Sequence, residues 1–256
     1  MLLYYQDKGR GTPVVLLHGM AASHHYWDSY ASLLAPKHRV LSIDLLGFGR
    51  SPMPTTATYT YEEHLASILE TLEAAGLKQP FILVGHSMGA LLALRLAATY
   101  LGKVSKLVLL NMPIYRNEGE ARADITKSKK RLRLLYYGPS SRFVCTLWCR
   151  LMRPLSKRLA PYYLRRLPKA VAQDSVLHTW QSYAQSLHNV IEQQHVQKDL
   201  YALPMPVQIL YGNRDDQTVL ANVRRLGLKK NMTLQIVPGT HNIVLEKPNF
   251  VADVIG

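Results

Sequence analysis

The sequence predicts an α/β fold in which helices cover both faces of a mostly parallel central sheet, with a helical insertion in one connection. Short apolar runs alternate with helix-length segments along the first 112 residues and again from Val207. This alternation is typical of a parallel sheet, whose strands are joined by helices. Residues 113–203 contain no clear buried strand and are typical of several basic helices. The 256 residues therefore predict one core, formed by residues 1–112 and 204–256, and an insertion at 113–203.

Six short apolar runs bounded by turn residues predict the strands: residues 14–17, 40–44, 81–84, 107–110, 207–211 and 233–237. Helices are predicted at residues 27–35, 61–75 and 88–101, and Gly76 and Gly102 are typical of helix ends. Proline interrupts the helical hydrogen-bond ladder, so breaks between helices of the insertion are expected at four places. These are Gly138 with Pro139, Pro154, Pro161 and Pro168. Pro248 begins a final helix that is expected to be short.

A serine lies in the string V-G-H-S-M-G-A, which runs from Val84 to Ala90 and contains the pattern G-x-S-x-G. A predicted strand precedes Ser87 and a predicted helix follows it. Such a strand, turn and helix hold the central side chain in a strained conformation, with its hydroxyl exposed at the top of a sheet. Gly85 and Gly89 are needed because the two backbones pass too close for side chains. The pattern predicts that Ser87 is a nucleophile.

A serine hydroxyl is a poor nucleophile near neutral pH, so it needs a general base and an acid that orients the base. The predicted strand at 207–211 is followed by Asp215 and Asp216, either of which could be that acid. The predicted strand at 233–237 is followed by His241, which could be the base. The carboxyl ends of parallel strands lie at one edge of a sheet, so these side chains are candidates for a common site.

Five segments, in this order, resemble motifs of the α/β-hydrolase superfamily and together cover nearly the full chain. They are L-L-H-G-M (16–20), D-L-L-G-F-G-R-S (44–51), the serine turn, Y-G-N-R-D (211–215) and G-T-H-N-I-V-L-E-K-P (239–248). Two positions depart from the family pattern: Thr240 replaces a frequent second glycine, and Asn111 stands where some relatives carry the acid. The resemblance implies a serine hydrolase of the carboxylesterase or lipase type, in which residues 113–203 form a helical cap over the active site.

The resemblance also implies a role for each site residue. Ser87 would be the nucleophile, His241 the general base and acid, and Asp215 the orienting acid, preferred to Asp216 by the family's G-x-x-D spacing. The backbone N–H groups of Met20 and Met88 would form the oxyanion hole. No cofactor is implied, and the scattered histidines predict no metal site.

Four further residues in or near these motifs are interpreted as structural. Asp44 is expected to support a tight loop, and His86 is expected to pack beneath neighbouring loops. His24 and His25 are interpreted as loop residues, and a place at the entrance of the site stays an alternative for both.

The triad chemistry leaves the reaction open. A carboxylic ester with an acyl or lipid-like group is the expected small-molecule substrate, because a cap needs an apolar underside. Thioester, lactone, amide and carbon–carbon bond cleavage stay alternatives, as does a non-catalytic ligand-binding role. Asn242 disfavours carbon–carbon cleavage, since the hydrolases of this fold that cleave such bonds often carry Trp there. Serine rather than aspartate at position 87 argues against epoxide hydrolases and haloalkane dehalogenases.

The net charge of +14 is concentrated in one part of the chain. Residues 1–112 carry nine basic and seven acidic residues, residues 113–200 sixteen and six, and residues 201–256 six and four, giving +2, +10 and +2. Two segments of the insertion, residues 132–137 and 143–152, are apolar and have basic residues at their margins. They are expected to pack over the sheet with their basic groups in water, and contact with an anionic membrane surface stays the alternative. Nucleic acid is not expected, since no binding motif accompanies the charge.

The sequence predicts a cytoplasmic protein, with peripheral membrane contact as the alternative just described. No run of eighteen apolar residues occurs, and residues 1–8 have neither a basic leader nor an apolar stretch. Cys145 and Cys149 provide neither a disulfide framework nor a convincing metal site, which is typical of a reducing compartment. The oligomeric state is not predicted.

Overall fold

A computed structural model describes residues 1–128 and 141–255 and contains a seven-stranded sheet with helices on both faces. The strands are β1 (Tyr5–Lys8), β2 (Thr12–Leu17), β3 (His38–Ile43), β4 (Phe81–His86), β5 (Val104–Leu110), β6 (Val207–Gly212) and β7 (Met232–Val237). Their order in the sheet is β1-β3-β2-β4-β5-β6-β7, and every pair is parallel except β1 with β3. The predicted α/β fold with a mostly parallel sheet is confirmed.

All six predicted strands are present, but the sequence did not predict β1. This strand is Y-Q-D-K, and it has one apolar residue and no alternating pattern. It pairs antiparallel with β3 at the edge of the sheet, with Tyr5 opposite Ile43 and Lys8 opposite Val40. An edge strand buries little apolar surface, so hydrophobic periodicity gives no signal for it.

Helices join the strands and also occupy the long connection between β5 and β6. Those of the core are α1 (Asp28–Leu34), α2 (Tyr61–Ala74), α3 (Met88–Thr99), and, after β6, α9 (Leu220–Val223), α10 (Ile243–Glu246) and α11 (Pro248–Asp253). Those between β5 and β6 are α4 (Glu118–Ser128), α5 (Ser141–Tyr163), α6 (Lys169–Asp174), α7 (Trp180–Ser186), a π-helical turn (Leu187–Glu192) and α8 (Val196–Ala202). The three helices predicted in the first part of the chain lie within two residues of their expected ends.

The two faces of the sheet have separate apolar cores. Alternate residues of a strand point to opposite faces, so Val15 and Leu17 of β2 join one core and Val14 and Leu16 the other. Helices α2 and α3 cover the first face, and α1 and α11 cover the second. A strand buried on both faces must be apolar at every position, which explains the short continuous apolar runs of the sequence.

The helix breaks expected at Pro154 and Pro161 are wrong, since α5 runs through both residues. Each proline lacks an N–H and leaves the carbonyl four residues earlier without its helical donor, so each costs α5 a single backbone hydrogen bond while the other bonds continue the helix. Pro168 does precede the start of α6.

The apolar face of residues 143–152 was expected to pack over the sheet, yet Phe143, Leu147 and Leu151 are exposed. The interpretations of residues 132–137 and of Gly138 with Pro139 lie outside the described residues, as do the side chains of Cys145 and Cys149. None of the helices in the described ranges is long and apolar enough to cross a bilayer.

The start of α3 passes very close to the end of β2. A Cβ atom on Gly89 would lie 2.3 Å from the carbonyl oxygen of Leu17 and 2.4 Å from that of His18. Both obstacles are backbone atoms, which cannot move aside as a side chain could. The glycine is therefore required by contact rather than by its conformational freedom.

We expect Gly89→Ala to lower the free energy of unfolding by about 3 kcal/mol or more, because the methyl group must displace β2 or α3. Gly119→Ala is the matched control, since Gly119 is exposed within α4 and its nearest obstacle is a side-chain oxygen at 3.3 Å. Urea denaturation of both variants measures the difference. Equal stability of the two variants would contradict the close packing of α3 on β2.

Candidate active site

Ser87 lies at the turn between β4 and α3 and has a left-handed backbone conformation. Its φ is +54° and its ψ is −122°. A non-glycine residue there costs about 1–3 kcal/mol, so the surrounding structure must hold it. The backbone N–H of Ser87 donates to the carbonyl of Leu110 at 3.0 Å, and its carbonyl accepts from the N–H of Ala90 at 2.9 Å. A Cβ on Gly85 would lie 2.6 Å from the Cα of Ala90, which is the close approach the motif predicts.

The loop after β2 lies against this turn. A Cβ on Gly19 would lie 3.0 Å from the Cβ of Ser87 and 3.1 Å from Nδ1 of His86. Met20, the next residue, lines the same cavity as Ser87. Met88 is buried at the first position of α3, where backbone N–H groups have no intrahelical acceptor. The two residues predicted to form the oxyanion hole therefore flank Ser87.

The turns after β6 and β7 are packed together, and this contact pairs Asp215 with His241. A Cβ on Gly212 would lie 2.4 Å from the carbonyl oxygen of Gly239, so the two backbones nearly touch. The N–H of Arg214 also donates to that carbonyl at 2.9 Å. As a result, Nδ1 of His241 lies 2.9 Å from Oδ1 and 3.1 Å from Oδ2 of Asp215. Asp215 is buried, whereas the neighbouring Asp216 is exposed.

The buried carboxylate of Asp215 accepts two further hydrogen bonds. Asn111, which follows β5 with a φ of +48°, donates from Nδ2 to Oδ2 at 2.6 Å. The backbone N–H of Gln217 donates to Oδ1 at 2.8 Å. Burial alone would raise the pKa of Asp215, but the hydrogen bond and charge of His241, followed by these two donors, outweigh it and lower the pKa. The acid is therefore ionised at neutral pH.

His86 supports the backbone of His241. Its Nε2 lies 2.8 Å from the carbonyl oxygen of His241, and because a carbonyl only accepts, Nε2 carries the proton. Burial, followed by the charge of His241, lowers the pKa of His86 to about 3, so the ring is neutral at physiological pH. The ring also stacks on Tyr26 with centroids 4.5 Å apart. His86 is packed beneath the loops of the site, as the sequence predicts.

Ser87 and His241 open into one cavity of about 330 Å³. Met20, Tyr26 and Asn242 line it as well. Its walls are largely apolar and come mostly from the connection between β5 and β6: Ile125, Leu164, Leu167, Val171, Leu187 and Ile191. Tyr115, Asp124 and Gln217 are polar groups of the lining, and the hydroxyl of Tyr115 donates to Asp124 at 3.3 Å.

His24 and His25 stand apart from this cavity. His24 is buried, and its Nδ1 lies 2.8 Å from Oδ1 of Asp44. Asp44 also accepts from the N–H of Arg50 at 2.7 Å, and it fills the space beside Gly49, which has a φ of +57°. His25 is half-buried and pairs with Asp28 at 2.7 Å. Neither histidine is among the residues that line the cavity.

Several residues of the site have no predicted functional role. Asn111 was interpreted only as standing where some relatives carry the acid, and Tyr26, Tyr115 and Asp124 had no predicted role. Asn111 follows a strand at the same edge as Asp215 and His241, and this position was the one available signal. The aromatic and acidic lining comes from loops and helices whose packing is not visible in local spacing.

One cluster of potential metal ligands occurs among the described residues. Single ligand atoms of Glu118, His188 and Glu192 lie within 4.8 Å of one another. Nη2 of Arg122 already lies 2.6 Å from Glu118 and 2.9 Å from Glu192. The guanidinium therefore neutralises both carboxylates, and the arrangement is explained by ion pairs.

Comparison with known proteins places this geometry in a family. A family model described as alpha/beta hydrolase fold matches residues 12–248. The chain is 30% identical over 197 residues to "Probable lysophospholipase BODYGUARD 5" of Arabidopsis thaliana, across 70% of this chain and 44% of that protein. It is 31% identical over 167 residues to "Putative carbamate hydrolase RutD" of Klebsiella pneumoniae, across 65% of this chain and 59% of that protein. The chain thus spans less than half of the length of the first relative.

Solved structures show the same fold at lower identity. An esterase from Thermogutta terrifontis matches with a TM-score of 0.73 and 23% identity, over 99% of this chain and 91% of that chain. E-2-(Acetamidomethylene)succinate hydrolase matches with a TM-score of 0.77 and 18% identity, over 99% and 93%. At these identities the likeness concerns the fold alone. The family match, the relatives and the seven-stranded sheet lead to one conclusion: this chain belongs to the α/β-hydrolase fold family.

Proposed function

We propose that the protein is a serine hydrolase that cleaves a carboxylic ester through a triad of Ser87, His241 and Asp215. One observation carries the proposal: His241 is hydrogen-bonded to a buried, ionised Asp215, and it shares a cavity with a serine held at a strained turn. A strained residue is retained where the surrounding structure enforces it, and such residues cluster at active sites. The neighbouring Asp216 is exposed and does not compete for this role.

In the proposed reaction, Oγ of Ser87 attacks the ester carbonyl while Nε2 of His241 takes the hydroxyl proton. Asp215 holds Nδ1–H of His241, which fixes the tautomer and stabilises the imidazolium. The tetrahedral intermediate collapses when His241 gives its proton to the leaving alcohol, and an acyl-enzyme remains on Ser87. Water, deprotonated by His241, then attacks the acyl-enzyme and releases the carboxylic acid and the free serine.

The negative charge of the tetrahedral intermediate requires donors that are already in place. We assign this role to the backbone N–H groups of Met20 and Met88, which flank Ser87. Met88 begins α3, so the positive end of the helix dipole adds to the same effect. Neither donor needs a cofactor, because the charge that develops is met by backbone groups alone.

The residues of the cavity wall support an apolar acyl group as the part of the substrate that is recognised. Ile125, Leu164, Val171 and Leu187 offer no hydrogen bonds and exclude water from the ester. Most of this wall belongs to residues 113–203, which we propose as the cap of the enzyme. The names of the Arabidopsis relatives, probable lysophospholipases, favour a lipid-derived ester. We propose the cytoplasm as its location, since two cysteines provide no disulfide framework.

Carbamate cleavage is the second candidate, because a relative of 31% identity is a putative carbamate hydrolase. The same tetrahedral chemistry serves esters, thioesters, lactones, amides and carbamates. The apolar wall selects the acyl group of the substrate, and it does not select which of these bonds is cleaved.

We expect p-nitrophenyl esters to be hydrolysed, with kcat/KM rising with acyl chain length until the cavity is filled. Ser87→Ala should lower kcat by about 10⁴-fold or more and abolish labelling by a fluorophosphonate, because the nucleophile is lost. Gel fluorescence and absorbance at 405 nm measure the two effects. Folded protein that cleaves none of the esters and is not labelled would overturn the proposal. Labelling together with faster cleavage of carbamates would favour the second candidate.

Asp215→Asn should lower kcat by about 10⁴-fold, because the amide cannot stabilise the imidazolium and favours the wrong tautomer of His241. Asp216→Asn is the matched control: it removes the adjacent, exposed carboxylate and should leave kcat within about twofold. Steady-state kinetics on the best ester compares the two variants. Loss of activity in Asp216→Asn alone would reassign the orienting acid.

Asn111→Asp should destabilise the fold at pH 7.5 by about 2–4 kcal/mol, because it places a second carboxylate against Asp215 in a buried site. In the native protein the lowered pKa of Asp215 stabilises the fold above its unfolded pKa, and this contribution disappears only as pH falls through the folded value. In the variant one carboxyl has a raised pKa, so the deficit should shrink from pH 7.5 to pH 5, where the pair binds a proton.

Calorimetric Tm values across this pH range measure the deficit of Asn111→Asp. Asn249→Asp is the control, since Asn249 is exposed in the first turn of α11. A deficit of Asn111→Asp that does not vary with pH would show that Asn111 does not support the charge of Asp215.

A further inference from the structure

Helix α5 presents a row of large apolar side chains to solvent. Phe143, Leu147, Leu151 and Leu155 are 74%, 48%, 68% and 46% exposed. Their spacing of four residues places them along one side of the helix. Tyr162 and Tyr163, at the end of α5, are 68% and 80% exposed. We call these six residues the apolar row. Contiguous exposed apolar patches are uncommon on soluble monomeric proteins, and they often mark interaction sites.

The other side of α5 is already in use. Helix α5 packs against α6 and α7, and Ala160 is buried there. Nη2 of Arg153 donates to the carbonyl of His178 at 2.7 Å, which ties this side to the loop between α6 and α7. The helix therefore has a fixed orientation, and the apolar row faces outward as a consequence of that packing.

The segment of chain that carries the apolar row has charge of one sign. Residues 125–173 contain thirteen Lys or Arg residues and no Asp or Glu. Five of the basic residues belong to α5 itself: Arg142, Arg150, Arg153, Lys157 and Arg158. Lys157 is half-buried and Arg158 is exposed, while Arg165 and Arg166, just beyond the helix, are exposed as well. A partner that covers the apolar row must therefore tolerate positive charge or supply negative charge.

The apolar row leads directly to the cavity that holds Ser87. Leu164 follows Tyr163, is 39% exposed, and lines the cavity. Leu167, three residues later, and Val171 of α6 also line the cavity. The outer apolar surface and the inner apolar wall are therefore continuous along the chain at the end of α5.

We propose that the apolar row and the nearby basic residues Lys157, Arg158, Arg165 and Arg166 form a docking surface for an anionic lipid bilayer. Apolar side chains would enter the boundary between headgroups and acyl chains, and Lys157, Arg158, Arg165 and Arg166 would meet lipid phosphates. An amphipathic helix that is rich in basic residues binds a bilayer surface by this combination. Nucleic acid would satisfy the charge but not the apolar row, and a neutral protein surface would satisfy the apolar row but not the charge.

The proposal does not depend on hydrolysis by Ser87, and it adds a route for substrate. A lipid-derived ester held at the bilayer would pass Tyr162, Tyr163 and Leu164 to reach the cavity. This route avoids exposing an acyl chain to water. Docking itself is tested without any catalytic readout.

The test is flotation of the full chain with vesicles of ether-linked phosphatidylcholine, which the proposed activity cannot cleave, with or without roughly one third ether-linked phosphatidylglycerol. Binding is expected to the anionic vesicles, to weaken with added salt, and to be much weaker on phosphatidylcholine alone. Phe143→Ser with Leu151→Ser should weaken binding about tenfold or more through lost apolar burial. Lys157→Gln with Arg158→Gln should weaken it about fivefold for each charge removed.

Leu33→Ser with Leu101→Ser is the matched control, because these leucines are 44% and 57% exposed outside the insertion. This pair should leave vesicle binding unchanged. All variants should hydrolyse a soluble ester within about twofold of the native rate, so loss of docking is distinguishable from failure of the proposed hydrolysis.

Three results would overturn the proposal. One is native protein that does not bind anionic vesicles, or binds neutral vesicles equally well. Another is a dimer in sedimentation velocity that Phe143→Ser with Leu151→Ser dissociates, which would assign the apolar row to a second copy of the chain. The third is vesicle binding that appears only after residues 129–140 are deleted, which would show that this segment covers the apolar row.

Discussion

The backbone of Ser87 is the constraint on which the rest of the structure depends. Its φ of +54° lets β4 turn into α3 within one residue. This requires β4, β2 and α3 to pass one another at Gly85 and Gly89, where no side chain fits. All six residues of β4 are buried, and this apolar contact offsets the strain of about 1–3 kcal/mol at the turn. The hydroxyl of Ser87 thus lies at the carboxyl edge of the sheet, beside the first turn of α3, because the buried strand β4 fixes the position of the turn.

The parallel sheet explains why so much of the fold and site could be predicted. Ser87, Asp215 and His241 each follow an apolar run that is visible in the sequence, and the ends of parallel strands share one edge. The donation from Asn111 to Asp215 joins residues 104 positions apart, and no local pattern encodes it. Strand β1 is polar and lies at the edge, so periodicity could not reveal it. The exposure of Phe143 and Leu151 could not be predicted either, since an apolar helix face has the same pattern whether it packs inward or faces water.

The electrostatics of the site follow from which group is allowed to carry charge. Asp215 is buried, but three donors hold it ionised, so the ring of His241 faces a fixed negative charge, as the proposed triad requires. His86, whose ring centroid is 4.8 Å from that of His241, is kept neutral by burial. The neutral ring donates a hydrogen bond to the carbonyl of His241, so it holds the backbone of that residue in place without adding a charge beside it.

The insertion has more apolar surface than one core can bury. Leu164, Leu167 and Val171 line the cavity, while Phe143, Leu147 and Leu151 face outward. The apolar residues that line the cavity would exclude water from the substrate of the proposed hydrolysis. The outward side chains leave about half or more of their surface in water, although side chains of that size usually give the folded state about 1.5–3 kcal/mol each when they are buried. A partner that covers them would recover part of this free energy. Residues 125–173 carry no acidic residue, so such a partner would have to be apolar and also compatible with positive charge, and the proposed anionic lipid surface has both properties.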